Sequence, residues 1–441
     1  MADVVKVAEP FRRTPAASQR CVRALFAAWI VITSLNNIFL YRVQKVMSSH
    51  AGTLMTVYWP LMTLLLCFLA CLARLAWRRW ACGITTDGGL RWFSPQSPAA
   101  SLQGPVPQRW MMFFAFWDQL QAVSLARAAP FIPLVLLAPL GNTLVIWTAL
   151  LTLCYLRTRL NAPQYVAVLL VFLSCVVGVV VELQGPPDSL CEGLDIASEA
   201  LDAGMSSARD AVALASASCA SGLPPVRDAH GTVVHVPFVV LAVMYALYVV
   251  ARLPAAVTIC YKQKKLKQMD LDVMWSFLWA SVWQVLWGLF LLPLEWAPWP
   301  VPGGSSSKSP STLATDLGEA WTCFMGLDPG AELSSCSAEP AWALFLMYLL
   351  LNLGHNVLGM WLIKQLSALW ISVGSIICGN LVGVLSVVPL LSGKSAAPLK
   401  LEQVLALTLS SIAMLVYNLG HGRDTQSPET KGLEEAPPSE A

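Results

Sequence analysis

Residues 163–183 read PQYVAVLLVFLSCVVGVVVEL, and no charged side chain occurs from Pro163 to Val181. The hydrocarbon core of a bilayer is about 30 Å thick, so an α-helix needs about 20 apolar residues to cross it. Runs of this kind recur along the chain, which predicts an all-α integral membrane protein with ten transmembrane helices. The predicted spans are residues 22–46, 53–77, 109–127, 130–156, 163–183, 236–261, 273–296, 340–363, 367–390 and 400–420.

The overall composition supports this class. Of the 441 residues, 56% are hydrophobic and only 12% are charged, whereas soluble domains carry about 25% charged residues. The net charge of +2 gives no reason to expect a nucleic-acid partner. The first apolar run is too long for the core of a secretory signal peptide. We therefore expect a cytosolic tail at the N-terminus, with an organelle address as the alternative.

The apolar runs divide the chain into two membrane segments of five helices each, joined and flanked by polar stretches. The third and fourth runs lie so close together that a short hairpin or a re-entrant segment is an alternative to two full spans. The predicted organisation is a cytosolic tail over 1–21, a first five-helix repeat over 22–183, a long non-cytosolic loop over 184–235, a second five-helix repeat over 236–420 that includes a Cys-containing non-cytosolic loop over 297–339, and an acidic cytosolic tail over 421–441.

The Lys and Arg residues favour an even number of spans. With ten spans and a cytosolic N-terminus, 19 of them fall on the cytosolic side and 8 on the opposite side, as the positive-inside rule requires. Lys262, Lys264, Lys265 and Lys267 count in this arrangement as the cytosolic loop between the sixth and seventh spans.

The two halves also share a sequence pattern. Gly141-Asn142 is followed by Ala162-Pro163 and an apolar run, and Gly379-Asn380 is followed by Ala397-Pro398 and another. Five spans per half is an odd number, so the second half would enter the membrane in the opposite orientation. Inverted repeats place a substrate site near the bilayer midplane, between the halves.

Polar side chains inside the predicted spans are the candidate site residues. Asp118 lies half way along the third span and His355 half way along the eighth, which are equivalent helices of the two halves. An ionisable group at this depth is costly and normally faces a cavity or a partner, so we predict a proton-coupling pair in one cavity. A structural role for each residue is the alternative.

Arg252 lies in the cytosolic part of the sixth span, where it either snorkels to the interface or contacts an anionic group. The remaining candidates carry amide side chains, which could instead join neighbouring helices. They are Asn36, Asn37, Asn142, Gln284, Asn356 and Asn380.

Four of the 12 cysteines fall in the two long non-cytosolic loops. Each loop has two, and an oxidising compartment would allow each pair to bridge locally. We predict Cys191–Cys219 and Cys323–Cys336 disulfides, with free thiols as the alternative.

Enzyme signatures are missing from the sequence. It contains no H-E-x-x-H, G-x-S-x-G or Walker A pattern, so we expect neither an enzyme nor a bound cofactor or metal. A scramblase or membrane-embedded enzyme would cluster its polar residues at one interface, a channel would repeat a charged ring, and a seven-helix receptor would need fewer spans.

Several stretches together resemble the chloroquine-resistance-transporter-like proteins of the drug/metabolite transporter superfamily. The similarity is diffuse and extends over about residues 22–420. The stretches that carry it are Ser34-Leu35-Asn36-Asn37 with Tyr41-Arg42, Phe113 to Arg127, Ala251-Arg252, Asp272 to Pro293, the Cys-bearing loop before the eighth span, and Ser367 to Asn380 with Asn356.

This resemblance implies ten helices in two inverted halves and transport by alternating access, often coupled to protons. It implies small organic solutes as partners (amino acids, small or thiol peptides, cationic drugs) and a vacuolar, lysosomal or other endomembrane location, with the plastid envelope or plasma membrane as alternatives. We expect a monomer in the lipid bilayer. His355 stands where parasite members of the family carry Asp, and Asn37 where a Lys can occur, so the resemblance does not fix the substrate.

Overall fold

The computed structural model describes thirteen stretches of the chain, and all structural statements below concern these residues. They are 16–47, 50–82, 108–132, 134–156, 160–183, 225–227, 233–235, 238–268, 272–296, 313–327, 341–366, 368–392 and 401–424.

The described chain is helical apart from one short hairpin. Its α-helices are α1 (Ala16–Met47), α2 (Ala51–Thr53), α3 (Trp59–Cys82), α4 (Gln108–Ala128), α5 (Leu134–Gly141), α6 (Thr143–Cys154), α7 (Ala162–Leu183), α8 (Phe238–Val250), α9 (Arg252–Gln268), α10 (Val273–Leu291), α11 (Leu313–Met325), α12 (Ala341–Gln365), α13 (Ala368–Leu385), α14 (Pro389–Ser392) and α15 (Leu401–Asp424). A π-helical turn (Leu54–Tyr58) joins α2 to α3, and 3₁₀ turns occupy Ala129–Phe131 and Leu292–Trp296. Strands β1 (Pro225–Arg227) and β2 (Val233–His235) pair antiparallel, with Val226 opposite Val234.

Helices long and apolar enough to cross a bilayer make this an integral membrane protein. Within the described stretches there are six: Cys21–Gln44, Ala51–Trp77, Ala162–Val180, Val239–Lys265, Val273–Leu294 and Ala341–Gln365. Three shorter apolar helices occupy Pro139–Cys154, Trp370–Leu385 and Gln403–Tyr417. The ten-span count and the inverted repeat remain predictions.

The outer surface of these helices is apolar. On α3, Leu61, Leu65 and Leu69 are exposed, whereas Cys67 and Cys71 on the other face are buried. On α7, Leu169 and Phe172 are exposed in the same way. Exposure of such an apolar surface to water is unfavourable, whereas its contact with lipid tails is not. These faces are therefore the ones that contact the bilayer.

The structure adds detail to two of the predicted segments. The fourth predicted span is not one straight helix, because it divides into a 3₁₀ turn, α5 and α6, with Pro139 inside α5; proline removes a backbone donor and disturbs a helix. The 297–339 segment, expected to be a loop, contains α11. Its buried Phe324 packs on Phe345 of α12, with ring centroids 5.4 Å apart, so an apolar face explains why this helix forms on the body of the protein.

The helices pack in pairs around a polar centre. Helix α1 runs along α12, α7 runs along α15, α10 packs on α3 and α4, α13 packs on α5, and α9 packs on α6 and α4. The π-helical turn is a point of very close approach, because a Cβ atom on Gly288 of α10 would lie 2.1 Å from the carbonyl oxygen of Thr56. Gln119 of α4 donates to the carbonyl oxygen of Met55 in the same turn (2.7 Å). Because Gln119 directly follows Asp118 in the sequence, this bond fixes the part of α4 that carries Asp118.

Candidate functional site

A cavity of about 310 Å³ lies between the helices, with walls from both halves of the chain. This volume suits a small organic molecule. Eight of the nine candidate site residues line the cavity: Asn36, Asn37, Asp118, Asn142, Arg252, Gln284, His355 and Asn356. Polar neighbours that the sequence analysis did not single out also line it, among them Thr33, Gln121, Tyr248, Asn352 and Lys262.

An ion pair occupies the cavity wall. Lys262 Nζ donates to Asp118 Oδ2 at 3.0 Å. The Lys262 side chain is 12% exposed and that of Asp118 is 21% exposed, so both charges are largely withdrawn from solvent. Asp118 thus has a cationic partner that the sequence analysis had assigned to the cytosolic loop.

Lys262 reaches the cavity because α9 continues to Gln268 rather than ending near residue 261. Arg252, Ala255, Ile259 and Lys262 all line the cavity and follow one another at intervals of three or four residues. That spacing places them on one face of a helix. The same periodicity is visible in the sequence and could have identified Lys262. Lys264 and Lys265 instead lie over the rings of Tyr155 (4.5 Å) and Trp110 (3.9 Å).

His355 is held by α1. Its Nδ1 shares a hydrogen bond with Thr33 Oγ1 at 2.8 Å, and its ring stacks on Trp29 with centroids 5.8 Å apart and planes 22° apart. The two ionisable residues predicted as symmetry mates therefore line one cavity.

Arg252, for which snorkelling to the interface was one of two interpretations, lines the cavity. Its Nη2 donates to the hydroxyl of Tyr248 one turn earlier, and its guanidinium carbon lies 4.6 Å from the centroid of the same ring. Its Nε is buried and has no hydrogen-bond partner. Arg252 Nη2 is also within 3.4 Å of the position that a Cβ atom on Gly141 would occupy.

The amide side chains differ in how they are satisfied. Asn142 stands between α5 and α6 and is 1% exposed, and both its side-chain polar atoms lack a partner. The Oδ1 of Asn36 and the Oε1 of Gln284 are likewise buried without a partner. Asn356 Nδ2 donates to the carbonyl (2.9 Å) and the side-chain oxygen (3.0 Å) of Asn352.

Asn380 does not line the cavity. Its Nδ2 donates to Ser411 Oγ at 2.8 Å, and its Oδ1 accepts from Ser410 Oγ at 2.8 Å. Both serines belong to α15, so Asn380 joins α13 to α15. This corresponds to the alternative of a residue that bonds neighbouring helices, and the equivalence of Asn142 and Asn380 in the sequence does not extend to their surroundings.

The disulfide predictions fall mainly outside the described stretches, since Cys191, Cys219 and Cys336 all lie there. Cys323 is buried on α11 and is not among the free thiols of the described chain. The two pairings therefore remain predictions. Within the described stretches no group of three or more His, Cys, Asp or Glu side chains is placed to hold a metal ion.

Comparison with known proteins confirms the resemblance seen in the sequence. Residues 239–417 match the family model described as CRT-like, chloroquine-resistance transporter-like. "Crt homolog 3" of Dictyostelium discoideum is 23% identical over 199 residues, which cover 42% of this chain and 42% of that protein. "Crt homolog 1" of the same organism is 22% identical over 193 residues, covering 39% of this chain and 40% of that protein. The matched part is thus about two fifths of each relative's length.

Proposed function

Since residues 239–417 match the CRT-like family, we propose that this chain is a secondary active transporter. In this proposal it moves small organic solutes by alternating access across an intracellular membrane and couples their movement to protons. The solutes are amino acids, small peptides including thiol peptides, or cationic drugs. The observation that carries the proposal is the Asp118–Lys262 ion pair on the wall of a polar cavity in an apolar helical protein.

The contacts between the helices support two halves related by an inverted repeat. In an inverted repeat of five helices, the contact between the first and eighth spans corresponds to the contact between the third and sixth. Helix α1 does pack along α12, and α4 packs against α8 and α9. The fifth and tenth spans correspond to each other, and α7 packs along α15. Such a relationship lets one bundle rock against the other around a central cavity.

The ion pair suggests how protons enter the cycle. Protonation of Asp118 would remove its charge and release Lys262 from the pair. The ammonium would then be free to interact with a solute or with the water of the cavity. Because the cavity faces one side of the membrane at a time, the proton would be taken up on one side and released on the other. His355 lines the same cavity and is the second group in this pathway.

The second candidate function is an uncoupled facilitator or exchanger, and the same ion pair supports it. A carboxylate that already has a cationic partner can remain ionised through the whole cycle. Lys262 would then neutralise Asp118 permanently, and no proton would move with the solute. The effect of Asp118→Asn on the pH dependence of uptake separates the two candidates.

The deciding experiment is uptake into proteoliposomes. Amino acids, dipeptides and glutathione would be offered with and without a pH gradient. We expect the gradient to drive uptake by the native protein, and Asp118→Asn to abolish this effect while solute exchange continues. A variant that keeps the native pH profile would assign the chain to the facilitators or exchangers. No uptake of any solute under either condition would reject a transporter of these compounds.

A further inference from the structure

The formal charges around the cavity do not cancel. Among the described residues that line it, Asp118 is the acidic one, and Lys262 and Arg252 are the basic ones. Lys262 bonds to Asp118 at 3.0 Å, so these two charges offset each other. The positive charge of Arg252 remains uncompensated by any carboxylate of the cavity wall. A cavity of this polarity favours an anionic group and disfavours an organic cation.

Arg252 is held in a fixed orientation with donor capacity to spare. The Tyr248 hydroxyl accepts from Nη2, and the Tyr248 ring lies against the guanidinium carbon at 4.6 Å from its centroid. The Nε–H is buried without a partner. A guanidinium presents its donors in a planar fork that matches the two oxygens of a carboxylate. An arginine oriented in this way loses little freedom when it binds such a group.

Asn142 provides a second, independent indication of a binding position. Its side chain is 1% exposed and lines the cavity, yet neither Nδ2 nor Oδ1 has a hydrogen-bond partner. Buried amide groups are normally satisfied. The preceding residue is Gly141, where a Cβ atom would come within 3.4 Å of Arg252 Nη2. Arg252 therefore lies beside the α5–α6 junction, where Asn142 stands.

We propose that Arg252 and Asn142 bind the carboxylate of the transported solute. The inference rests on the proposed transport function and specifies its substrate class as a carboxylate-bearing solute, zwitterionic or singly negative, rather than an organic cation. The Nε–H of Arg252 and the Nδ2–H of Asn142 donate to the carboxylate oxygens. The single uncompensated charge matches a monoanionic group better than a phosphate monoester, which carries nearly two charges. Asp118 and Lys262 remain available for the opposite end of the solute.

The test compares matched solutes that differ in one charged end. Leucine and glutamine would each be used as the N-acetyl acid, which keeps the carboxylate, and as the C-terminal amide, which keeps the ammonium. Binding is measured by thermal stabilisation of the purified full chain in detergent, and transport by uptake into proteoliposomes. We expect the N-acetyl acids to bind more tightly than the amides. Arg252→Gln should weaken their binding by about tenfold to hundredfold, as expected for the loss of one charged hydrogen bond.

Further variants keep the result interpretable. Arg252→Lys retains the positive charge but not the planar arrangement of donors, so it should keep part of the preference for carboxylates. This variant allows the test to proceed if Arg252→Gln fails to fold. Asn142→Ala should weaken the binding of the N-acetyl acids and change the affinity for the amides by no more than about twofold. The effect is smaller than that of Arg252→Gln because Asn142 is a neutral donor. Arg109→Gln removes an arginine that is exposed and outside the cavity, so it should change neither series.

The outcomes separate this inference from the transport proposal. Uptake without a carboxylate preference, or with a preference that Arg252→Gln leaves intact, overturns the carboxylate site and leaves the transporter standing. Binding of the acids that depends on Arg252, without uptake, supports the site and overturns transport of these solutes. If no solute in the series is bound or taken up, both the carboxylate site and the transport proposal are overturned.

Discussion

Lys262 Nζ and Asp118 Oδ2 lie 3.0 Å apart across the interface between α9 and α4. With side-chain exposures of 12% and 21%, the pair is neither fully buried nor a surface ion pair. Removal of one partner from such a pair leaves the other charge without compensation, which is more costly than loss of the pair as a whole. This ion pair joins the two halves of the chain in the wall of the cavity, so the effect of removing either partner can be predicted.

The first prediction is a double-mutant cycle on this pair. Lys262→Met leaves the Asp118 carboxylate uncompensated and should reduce the free energy of unfolding by about 2 kcal/mol. This is below the range for fully buried pairs because both side chains are partly exposed. The double variant Asp118→Asn with Lys262→Met should recover most of that loss, since no charge then remains. Thermal unfolding in detergent provides the measurement. Additive losses in the double variant would mean that the two side chains do not interact.

The second prediction concerns His355. His355→Gln keeps a hydrogen-bonding group for Thr33 but removes both the titrating ring and its stacking on Trp29. His355→Phe keeps an aromatic ring and removes the titration. If His355 belongs to the proton pathway, both variants should weaken the pH dependence of uptake. If the ring serves packing alone, His355→Phe should show the native pH profile and only His355→Gln should lower the melting temperature.

Much of this site could be predicted from the sequence because burial of polar groups in a bilayer is costly. Asp118 and His355 interrupt apolar runs, which predicts that they face a cavity, and both line it. The sequence does not reveal which face of a helix an isolated amide occupies. Asn142 and Asn380 follow the same local pattern, yet one lines the cavity and the other bonds to Ser410 and Ser411.

Lys262 does have a signal in the sequence, its spacing from Arg252, but hydropathy falls where the apolar run ends, whereas α9 continues for more than a turn beyond it. Other features depend on the three-dimensional arrangement and have no signal in a single run. The π-helical turn at Leu54–Tyr58 depends on Gln119 and on the close approach of Gly288, which come from other parts of the chain. Helix α11 is short and borders polar sequence, so its apolar face was not recognised as a packing surface.

The third prediction concerns the disulfides. If the 184–235 and 297–339 loops face an oxidising compartment, Cys191–Cys219 and Cys323–Cys336 should each be bridged. Closure of a loop of about 15 residues is worth roughly 3 kcal/mol in the chain-entropy model. Peptide mapping by mass spectrometry without reduction gives the connectivity. Alkylation of all four thiols in the native protein would contradict both pairings.

The fourth prediction tests how α10 begins. Asp272 Oδ1 accepts from the backbone N–H of Trp275 at 3.0 Å as an N-cap, and the two carboxylate oxygens accept from Arg74 of α3 at 2.8 and 2.7 Å. Asp272→Asn keeps the cap and loses the ion pair, whereas Asp272→Ala loses both. We expect Asp272→Ala to lower the free energy of unfolding by about 1 kcal/mol more than Asp272→Asn, which is the usual contribution of an N-cap. Equal melting temperatures for the two variants would show that the cap contributes nothing.

The fifth prediction concerns the contact between α10 and the π-helical turn. In Gly288→Ala the new methyl group would lie 2.1 Å from the Thr56 carbonyl oxygen. That oxygen belongs to the backbone, so relief requires α10 or the turn to move rather than a side chain to rotate. Movement there would also strain the bond from Gln119 to Met55 and shift α4 beside Asp118. We expect a loss of about 3 kcal/mol or more in stability, together with weaker solute uptake.

Gly318→Ala is the matched control for this substitution. Gly318 lies in α11, is exposed, and has open space around its potential Cβ position. Alanine in a helix interior is favoured over glycine by about 0.5–1 kcal/mol, so this variant should melt at the same temperature as the native protein or slightly higher. If Gly288→Ala were as stable as Gly318→Ala, α10 could not lie as close to the π-helical turn as the structure places it, and the position of Gln119 beside the cavity would have to be revised with it.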